Sequence, residues 1–133
     1  MKSIEKQTVG QLERSLSQQL QALYRDQLGQ RPSHATCQIF DSKVAIILED
    51  AVTRPEQLLA EEGQMELAEQ VRADLDQALR PQIKRLIEDI LKVQVLDLLS
   101  DATLKTGRTG IIAVLSKTPT VRNPEAIPKI KSS

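Results

Sequence analysis

The groups best suited to hold a small anion lie in the turn between the last two predicted strands. They are Asp101, Lys105, Thr106, Gly107 and Arg108. A glycine-rich hairpin tip flanked by Lys and Arg presents backbone N–H groups and positive charge, which suits bicarbonate, a phosphate ester or a nucleotide. The segment does not supply the GxxxxGKS or GxxxxGKT pattern of a Walker loop. An ordinary β-turn with solvated basic side chains, in which Asp101 bonds backbone amides, is the favoured interpretation of the same residues.

The remaining reactive side chains do not form a pattern typical of catalysis. His34 and Cys37 are three positions apart, a spacing at which a Cys–His nucleophile pair is conceivable. Strand alternation instead places Cys37 with Ile39 on the core side and leaves His34 in an exposed loop. The paired carboxylates between residues 61 and 76 suit the solvated face of a helix. With one His, one Cys and no HxxxH, CxxC or EF-hand pattern, we expect no metal, no cofactor and no enzymatic activity.

The composition bounds the class of protein. A chain of 133 residues suits one domain with one core. The 18 Lys plus Arg balance 18 Asp plus Glu, and aromatic residues make up only 2%, which disfavours recognition of both phosphate backbones and stacked bases. No apolar run approaches the roughly 20 residues that cross a bilayer, and the N-terminus lacks the apolar part of a secretion signal. We therefore expect a cytoplasmic protein with no transmembrane segment and no strong affinity for nucleic acid.

Periodicity and turn residues predict the elements of the first half of the chain. Leucines recur at helical spacing from Val9 to Leu28, and Gly29 suits the C-cap of that helix. Two short β-prone runs, Thr36–Phe40 and Lys43–Glu49, then predict a hairpin.

A helix-start signal follows the hairpin. Thr53 suits an N-cap, and Glu56 completes a capping box with it. One unbroken helix over the periodic segment that follows would be about 55 Å long, which exceeds the width of a domain of this size. Gly63 and Pro81 are the residues that interrupt a helix. We therefore expect a short helix near residues 55–62 and a longer helix near residues 64–91, bent near Arg80.

The last two predicted strands, Val93–Ser100 and Gly110–Ser116, complete an α-β-β-α-β-β order. This order predicts an α+β fold in which two main helices pack on one face of a four-stranded, mainly antiparallel sheet. We assign residues 1–116 to this single domain. Residues 117–133 contain three prolines and no periodicity, and are predicted to form a flexible C-terminal tail.

Both faces of the second strand pair carry apolar residues, with Leu96 and Leu98 in one alternating set and Leu99 in the other. A sheet covered by helices on one face does not require apolar residues on its second face. We therefore expect a homodimer in which a second subunit covers this face. Coverage by the chain's own tail is the alternative.

Several of these segments, taken in order, resemble the MpsC-type family, a bacterial domain named from a sodium-linked, membrane-potential-generating system. The resemblance runs from Gly29 to Leu115, and its most specific motif is Ser100 to Gly107. The other segments that carry it are Gly29–Pro32, Asp41 with the strand Val44–Leu48, Thr53–Glu56, Arg72 with Leu75, and Ile87–Glu88. The resemblance implies a cytosolic accessory to sodium-dependent uptake of inorganic carbon or to maintenance of membrane potential, acting beside membrane subunits. It implies no catalytic residues.

Two functions follow as hypotheses. The first is a non-enzymatic regulatory or accessory module that docks a partner protein, such as a membrane transporter subunit, through the hairpin end or a helix face. The alternative is a sensor of a small anion or a nucleotide that binds at residues 105–110. The sequence alone leaves both open.

Overall fold

Three α-helices and four β-strands make up the part of the chain that the computed structural model describes, residues 6–129. The strands form one antiparallel sheet in the order β1-β2-β4-β3. The elements are α1 (Val9–Leu28), β1 (His34–Phe40), β2 (Lys43–Glu49), α2 (Arg54–Glu61), α3 (Met65–Leu91), β3 (Val95–Thr103), β4 (Arg108–Leu115) and a 3₁₀ turn (Pro124–Ala126). The predicted α+β class and the four-stranded antiparallel sheet are confirmed.

The order of elements differs from the prediction by one helix. The chain runs α-β-β-α-α-β-β, whereas the predicted order α-β-β-α-β-β counted only the two main helices. The short helix predicted near residues 55–62 is confirmed as α2, and the longer one near residues 64–91 as α3. The separation falls at Gly63, whose φ of 80° is in the left-handed region that glycine adopts without steric cost. Pro81 does not interrupt the chain in the same way, since α3 continues through it.

The first helix has the limits that its sequence signals predict. Thr8 and Gln11 form a capping box at its start, in which each side chain bonds the backbone N–H of the other residue. Gly29 ends the helix with a φ of 77°, and its N–H donates to the carbonyl oxygen of Arg25 at 2.9 Å.

The core lies between the helices and one face of the sheet, where α1 contacts β1 and α3 contacts β3. Its side chains are mainly aliphatic, as the composition requires, and Tyr24 is its largest fully buried member. Thr109 on β4 is also fully buried, and its hydroxyl has no hydrogen-bond partner among the described residues. Because the core lies on one side of the sheet only, the helices cover that face and leave the other face to solvent.

Residues 117–129 pack against the domain, which corrects for these residues the prediction of a flexible tail over residues 117–133. Val121 and Ile127 are 5% and 3% exposed and belong to the core cluster. The N–H of Arg122 donates to the carbonyl of Gln7 at 2.9 Å, and the N–H of Asp41 donates to the carbonyl of Pro128 at 2.7 Å. The segment folds back because the burial of Val121 and Ile127 in the core removes their apolar surface from water. Residues 130–133 lie outside the described residues.

The second face of the sheet, hereafter the open face, carries exposed apolar side chains, as the sequence indicates. Ile47 is 46% exposed, Leu99 54% and Ile112 36%. Leu96, at the β-bulge between Val95 and Asp97, instead lines a depression with Arg80 and Lys84 of α3. The segment 117–129 does not cover the open face, because its buried side chains pack into the helical side of the sheet. Within residues 6–129, the alternative of a tail that shields this face therefore fails.

Candidate functional site

Four segments meet at one end of the sheet, which we call the hairpin end. They are the loop 50–53, α2, the first turns of α3 and the β3–β4 turn at residues 104–107. The N–H of Ala51 donates to the carbonyl of Gly107 at 2.8 Å and ties the loop to the turn. Gly107 has a φ of 77°, and a side chain there would approach the backbone of Asp50. The predicted Thr106-Gly107 turn is thus confirmed, and Gly107 fits because it is glycine.

A buried ion pair holds the hairpin end together. The side chains of Glu56 and Arg72 are 0% and 5% exposed. Arg72 Nη2 donates to Glu56 Oε2 at 2.9 Å, and Arg72 Nε lies 2.7 Å from Glu56 Oε1 in the same ion pair without forming a hydrogen bond to it. Glu56 Oε2 also accepts hydrogen bonds from the N–H and hydroxyl of Thr53 at 2.9 and 2.7 Å. One carboxylate therefore both caps α2 and joins it to α3, which we call the Glu56–Arg72 staple.

The sequence predicts the cap of this staple but not the partner of its carboxylate. Thr53 and Glu56 indicate a capping box from their spacing alone, whereas Arg72 contributes only to the family resemblance. The available signal is the position of Arg72, four residues after buried Ala68 and on the apolar stripe of α3. A charged residue on a core-facing stripe indicates a buried partner of opposite charge.

Tyr24 and Asp76 extend the staple towards α1 and solvent. Arg72 Nη1 lies 3.6 Å from Asp76 Oδ1, and the Asp76 side chain is 15% exposed. Burial raises the pKa of Asp76 above its usual range, and Arg72 opposes this effect. Burial, followed by the charge of Asp76, raises the pKa of the Tyr24 phenol to about 12. The staple therefore lies in surroundings from which water is largely excluded.

Alkaline titration measures these surroundings directly, because Tyr24 is the only tyrosine and the chain has no tryptophan. Tyrosinate absorbance should report a pKa of about 12 in the folded protein, against 10.0 for an unperturbed phenol. Since the folded state then holds this proton more tightly than the unfolded state, stability should fall as pH rises from about 10 to about 12. Asp76→Asn should lower the pKa by removing the second cause. A wild-type pKa near 10 while circular dichroism still shows a folded chain would contradict this description.

Two surface depressions flank Leu104 at the hairpin end. The first, which we call the α2 hollow, has a volume of about 370 Å³. Its lining residues are Gln57, Ala60, Glu61, Met65, Leu104 and Lys105. The second, which we call the α3 cleft, has a volume of about 520 Å³ and lies between α3 and β3, with a lining that includes Asp76, Arg80, Ser100 and Asp101. The α2 hollow combines apolar walls with one acidic and one basic side chain, whereas the α3 cleft is mostly polar.

The five residues predicted for an anion site are distributed over different surroundings. Asp101 lines the α3 cleft, and its Oδ1 accepts from the N–H of Ala102 at 2.8 Å. Lys105 lines the α2 hollow. The N–H of Gly107 donates to the carbonyl of Thr103 at 2.8 Å, so that this donor is used within the turn.

The two other predicted anion ligands also have partners in the protein. The N–H of Arg108 lies 3.4 Å from the hydroxyl oxygen of Thr106. Arg108 Nε donates to Glu49 Oε1 and Oε2 at 2.7 and 2.8 Å, and these hydrogen bonds raise the pKa of the guanidinium. An anion at the turn would have to compete with Glu49 for Arg108.

The other two reactive side chains, Cys37 and His34, lie on opposite faces of β1. Cys37 is buried on the core side of β1, and burial raises the pKa of its thiol. His34 is exposed and is the first residue of β1 instead of part of a loop. Since side chains three positions apart on a strand point to opposite faces, these two residues do not face each other.

The fold and its hairpin end define a small α+β domain in which a buried ion pair fixes a recessed surface beside a β-turn. The chain belongs to the MpsC family, because residues 8–117 match the family described as "Na+-translocating membrane potential-generating system (MpsC)". The resemblance stated from the sequence is thereby confirmed. No curated protein and no solved structure matches the chain.

Among the helices within residues 6–129, none is long and apolar enough to cross a membrane.

Proposed function

We propose that this chain is a non-enzymatic accessory or regulatory binding module of a sodium-translocating, membrane-potential-generating system. It acts in the cytoplasm and docks on a membrane subunit of that system. The process served is sodium-dependent uptake of inorganic carbon or generation of membrane potential. Membership of the MpsC family supports the link to the system. The docking role rests on the geometry of the α2 hollow.

The α2 hollow offers a place for an apolar side chain of a partner protein. Met65 is 45% exposed and shares the lining with Ala60 and Leu104. The volume of the α2 hollow, about 370 Å³, is at the lower end of the roughly 300–1,000 Å³ typical of small-molecule pockets. Protein interfaces are commonly anchored by one large side chain that fills such a recess. The hollow therefore suits a projecting side chain better than an extended cofactor.

Charges on two of the elements that line the hollow would orient the partner. Glu61 belongs to the last turn of α2, and Lys105 belongs to the β3–β4 turn. Paired charges at the rim of an apolar contact contribute mainly to orientation and to the rate of association. A partner with one apolar anchor between a basic and an acidic side chain fits this arrangement.

The hollow is also pre-organised. The Glu56–Arg72 staple fixes α2 against α3, and the bond from Ala51 to Gly107 fixes the turn against the loop. Surfaces that keep one shape before binding lose less conformational entropy when a partner docks. This rigidity is the property expected of a docking site made from a helix and a turn.

Two matched substitutions test the docking role. Met65→Gln makes the wall of the hollow polar while keeping the length of the side chain, and Leu67→Gln makes the same kind of change outside the hollow. Leu67 is 49% exposed and not part of the lining, so it provides a control of similar exposure. Binding to purified membranes that contain the sodium-translocating subunits should weaken about tenfold for Met65→Gln, a loss of about 1.4 kcal/mol, and should be unchanged for Leu67→Gln.

Equal binding by wild type and Met65→Gln would contradict docking at the α2 hollow. The sensor alternative has a separate signature, because a ligand that binds only the folded state raises its melting temperature. A rise with bicarbonate, a phosphate ester or a nucleotide that is lost in Lys105→Ala would favour that alternative instead.

A further inference from the structure

We propose that the open face of the sheet is the interface with a second copy of this chain. The two copies are related by a two-fold axis that runs parallel to the strands, above the boundary between β2 and β4. This assignment concerns the sheet face and does not depend on docking at the hairpin end. It rests on the shape of the face, on its charges and on the state of the sheet edges.

Large and small side chains alternate across the two central strands of the open face. The strand register places Ile47 beside Gly110 and, in the next row, Ala45 beside Ile112. Each isoleucine therefore projects next to a shallow position on the neighbouring strand. Leu99 extends the second row on β3, where it pairs with Ile112.

The proposed axis brings these projections onto the shallow positions. A two-fold rotation about a line between β2 and β4 lays β2 of one copy over β4 of the other and keeps each row in line. Ile47 of one copy then lies over Gly110 of the second copy, and Ile112 lies over Ala45. Sheets that pack face to face in this aligned manner have strand directions within about 30° and lie about 10 Å apart. The face is thus complementary in shape to itself.

The charges on the open face follow the same symmetry. At one end, Glu49 on β2 pairs with Arg108 on β4 at 2.7 Å. The axis places Glu49 of one copy opposite Arg108 of the second copy, so the two ion pairs form an alternating cluster of four charges. At the other end, Lys43 and Asp97 lie in one row on either side of Val114. Lys43 of one copy is then within a strand spacing of Asp97 of the second copy.

Side chains bond several outward backbone groups of the two edge strands, which favours association through the face. On β1, the N–H of Ile39 donates to Glu13 Oε2 at 2.8 Å. On β3, the N–H of Val95 donates to Glu88 Oε2 at 2.9 Å, and Arg80 donates to the carbonyl of Leu98. Side chains that bond the outward backbone groups of an edge strand oppose the addition of another strand.

The size of the face sets the expected strength of the dimer. Four strands about 4.8 Å apart and seven residues long give a flat area of about 440 Å² per copy. This is about half of the roughly 800 Å² that each partner buries in a standard interface. We therefore expect a dissociation constant in the micromolar range, so that the measurement must span monomer and dimer.

Gly110→Leu is the decisive variant. A side chain at this position is compatible with the folded chain, since an added Cβ meets only Ile47 Cδ1 at 3.7 Å. It fills the position that receives Ile47 of the second copy. Sedimentation equilibrium should show a concentration-dependent dimer for wild type and a dissociation constant at least about tenfold weaker for Gly110→Leu, with circular dichroism unchanged. Adding Ile47→Ala should restore association. In the double variant the large side chain lies at position 110 on β4 and faces the small side chain at position 47 on β2 of the second copy.

Leu99→Lys provides a second variant in case Gly110→Leu perturbs the fold. Leu99 is 54% exposed, so its replacement should also weaken the dimer without lowering the melting temperature of the monomer. A wild type that stays monomeric throughout the micromolar range would overturn the proposal. It would be overturned equally if Gly110→Leu and Leu99→Lys dimerised as strongly as wild type, or if the face of a monomeric chain bound lipid vesicles or a different protein.

Discussion

Replacing Arg72 by alanine is expected to lower the free energy of unfolding by about 3–5 kcal/mol, the usual cost of removing one partner of a buried ion pair. The substitution leaves the Glu56 carboxylate, which is 0% exposed, without its ion-pair partner. It also removes the donor that lies 3.4 Å from the carbonyl oxygen of Ala51. Small domains have total stabilities of about 5–15 kcal/mol, so this loss is a large fraction of the whole.

Urea denaturation at neutral pH measures this loss, and Arg85→Ala is the matched control. Arg85 is exposed on the same helix, so its replacement should change stability by no more than about 0.5 kcal/mol. If Arg72→Ala were as stable as Arg85→Ala, the Glu56–Arg72 contact would contribute nothing to the fold, and the argument for a pre-organised α2 hollow would fail.

Ile127→Ala is expected to cost about 2–5 kcal/mol, the range for removing most of a buried aliphatic side chain. Ile127 is 3% exposed and is part of the core cluster, although it lies in a proline-rich segment far from the last strand. The loss combines the transfer of apolar surface with the cavity that remains in the core. The same substitution in an unstructured tail would have no effect on stability.

Glu125→Ala serves as the control for this prediction, because Glu125 is exposed in the same 3₁₀ turn. Its melting temperature should remain close to that of wild type. Equal melting temperatures for wild type, Glu125→Ala and Ile127→Ala would show that residues 117–129 do not pack on the domain in solution.

Local signals explain which parts of the fold could be predicted from the sequence. Gly29 ends α1, Gly63 separates α2 from α3, and Gly107 forms the β3–β4 turn, all with positive φ values. Thr53 and Glu56 are three residues apart and bond each other within one turn of helix. Each of these features depends on residues that are close in sequence, so its signal is readable without the tertiary structure.

The features that the sequence did not reveal depend on distant contacts. Glu56 and Arg72 are 16 residues apart and meet only when α2 packs on α3. Arg108 is drawn to Glu49, 59 residues away, because β2 and β4 are neighbours in the sheet. Val121 is a single apolar residue among polar ones, without the periodicity that predicts burial. The anion-site hypothesis therefore could not account for the partner of Arg108, and the tail could not be placed.

The most direct measurement is sodium-dependent membrane potential in host cells that lack this chain and are supplied with wild type, Met65→Gln or Leu67→Gln at equal levels. Docking at the α2 hollow predicts that wild type and Leu67→Gln restore the potential and that Met65→Gln does not. Full restoration by Met65→Gln, or no change in potential on loss of the chain itself, would contradict a role as an accessory that works by binding through this surface.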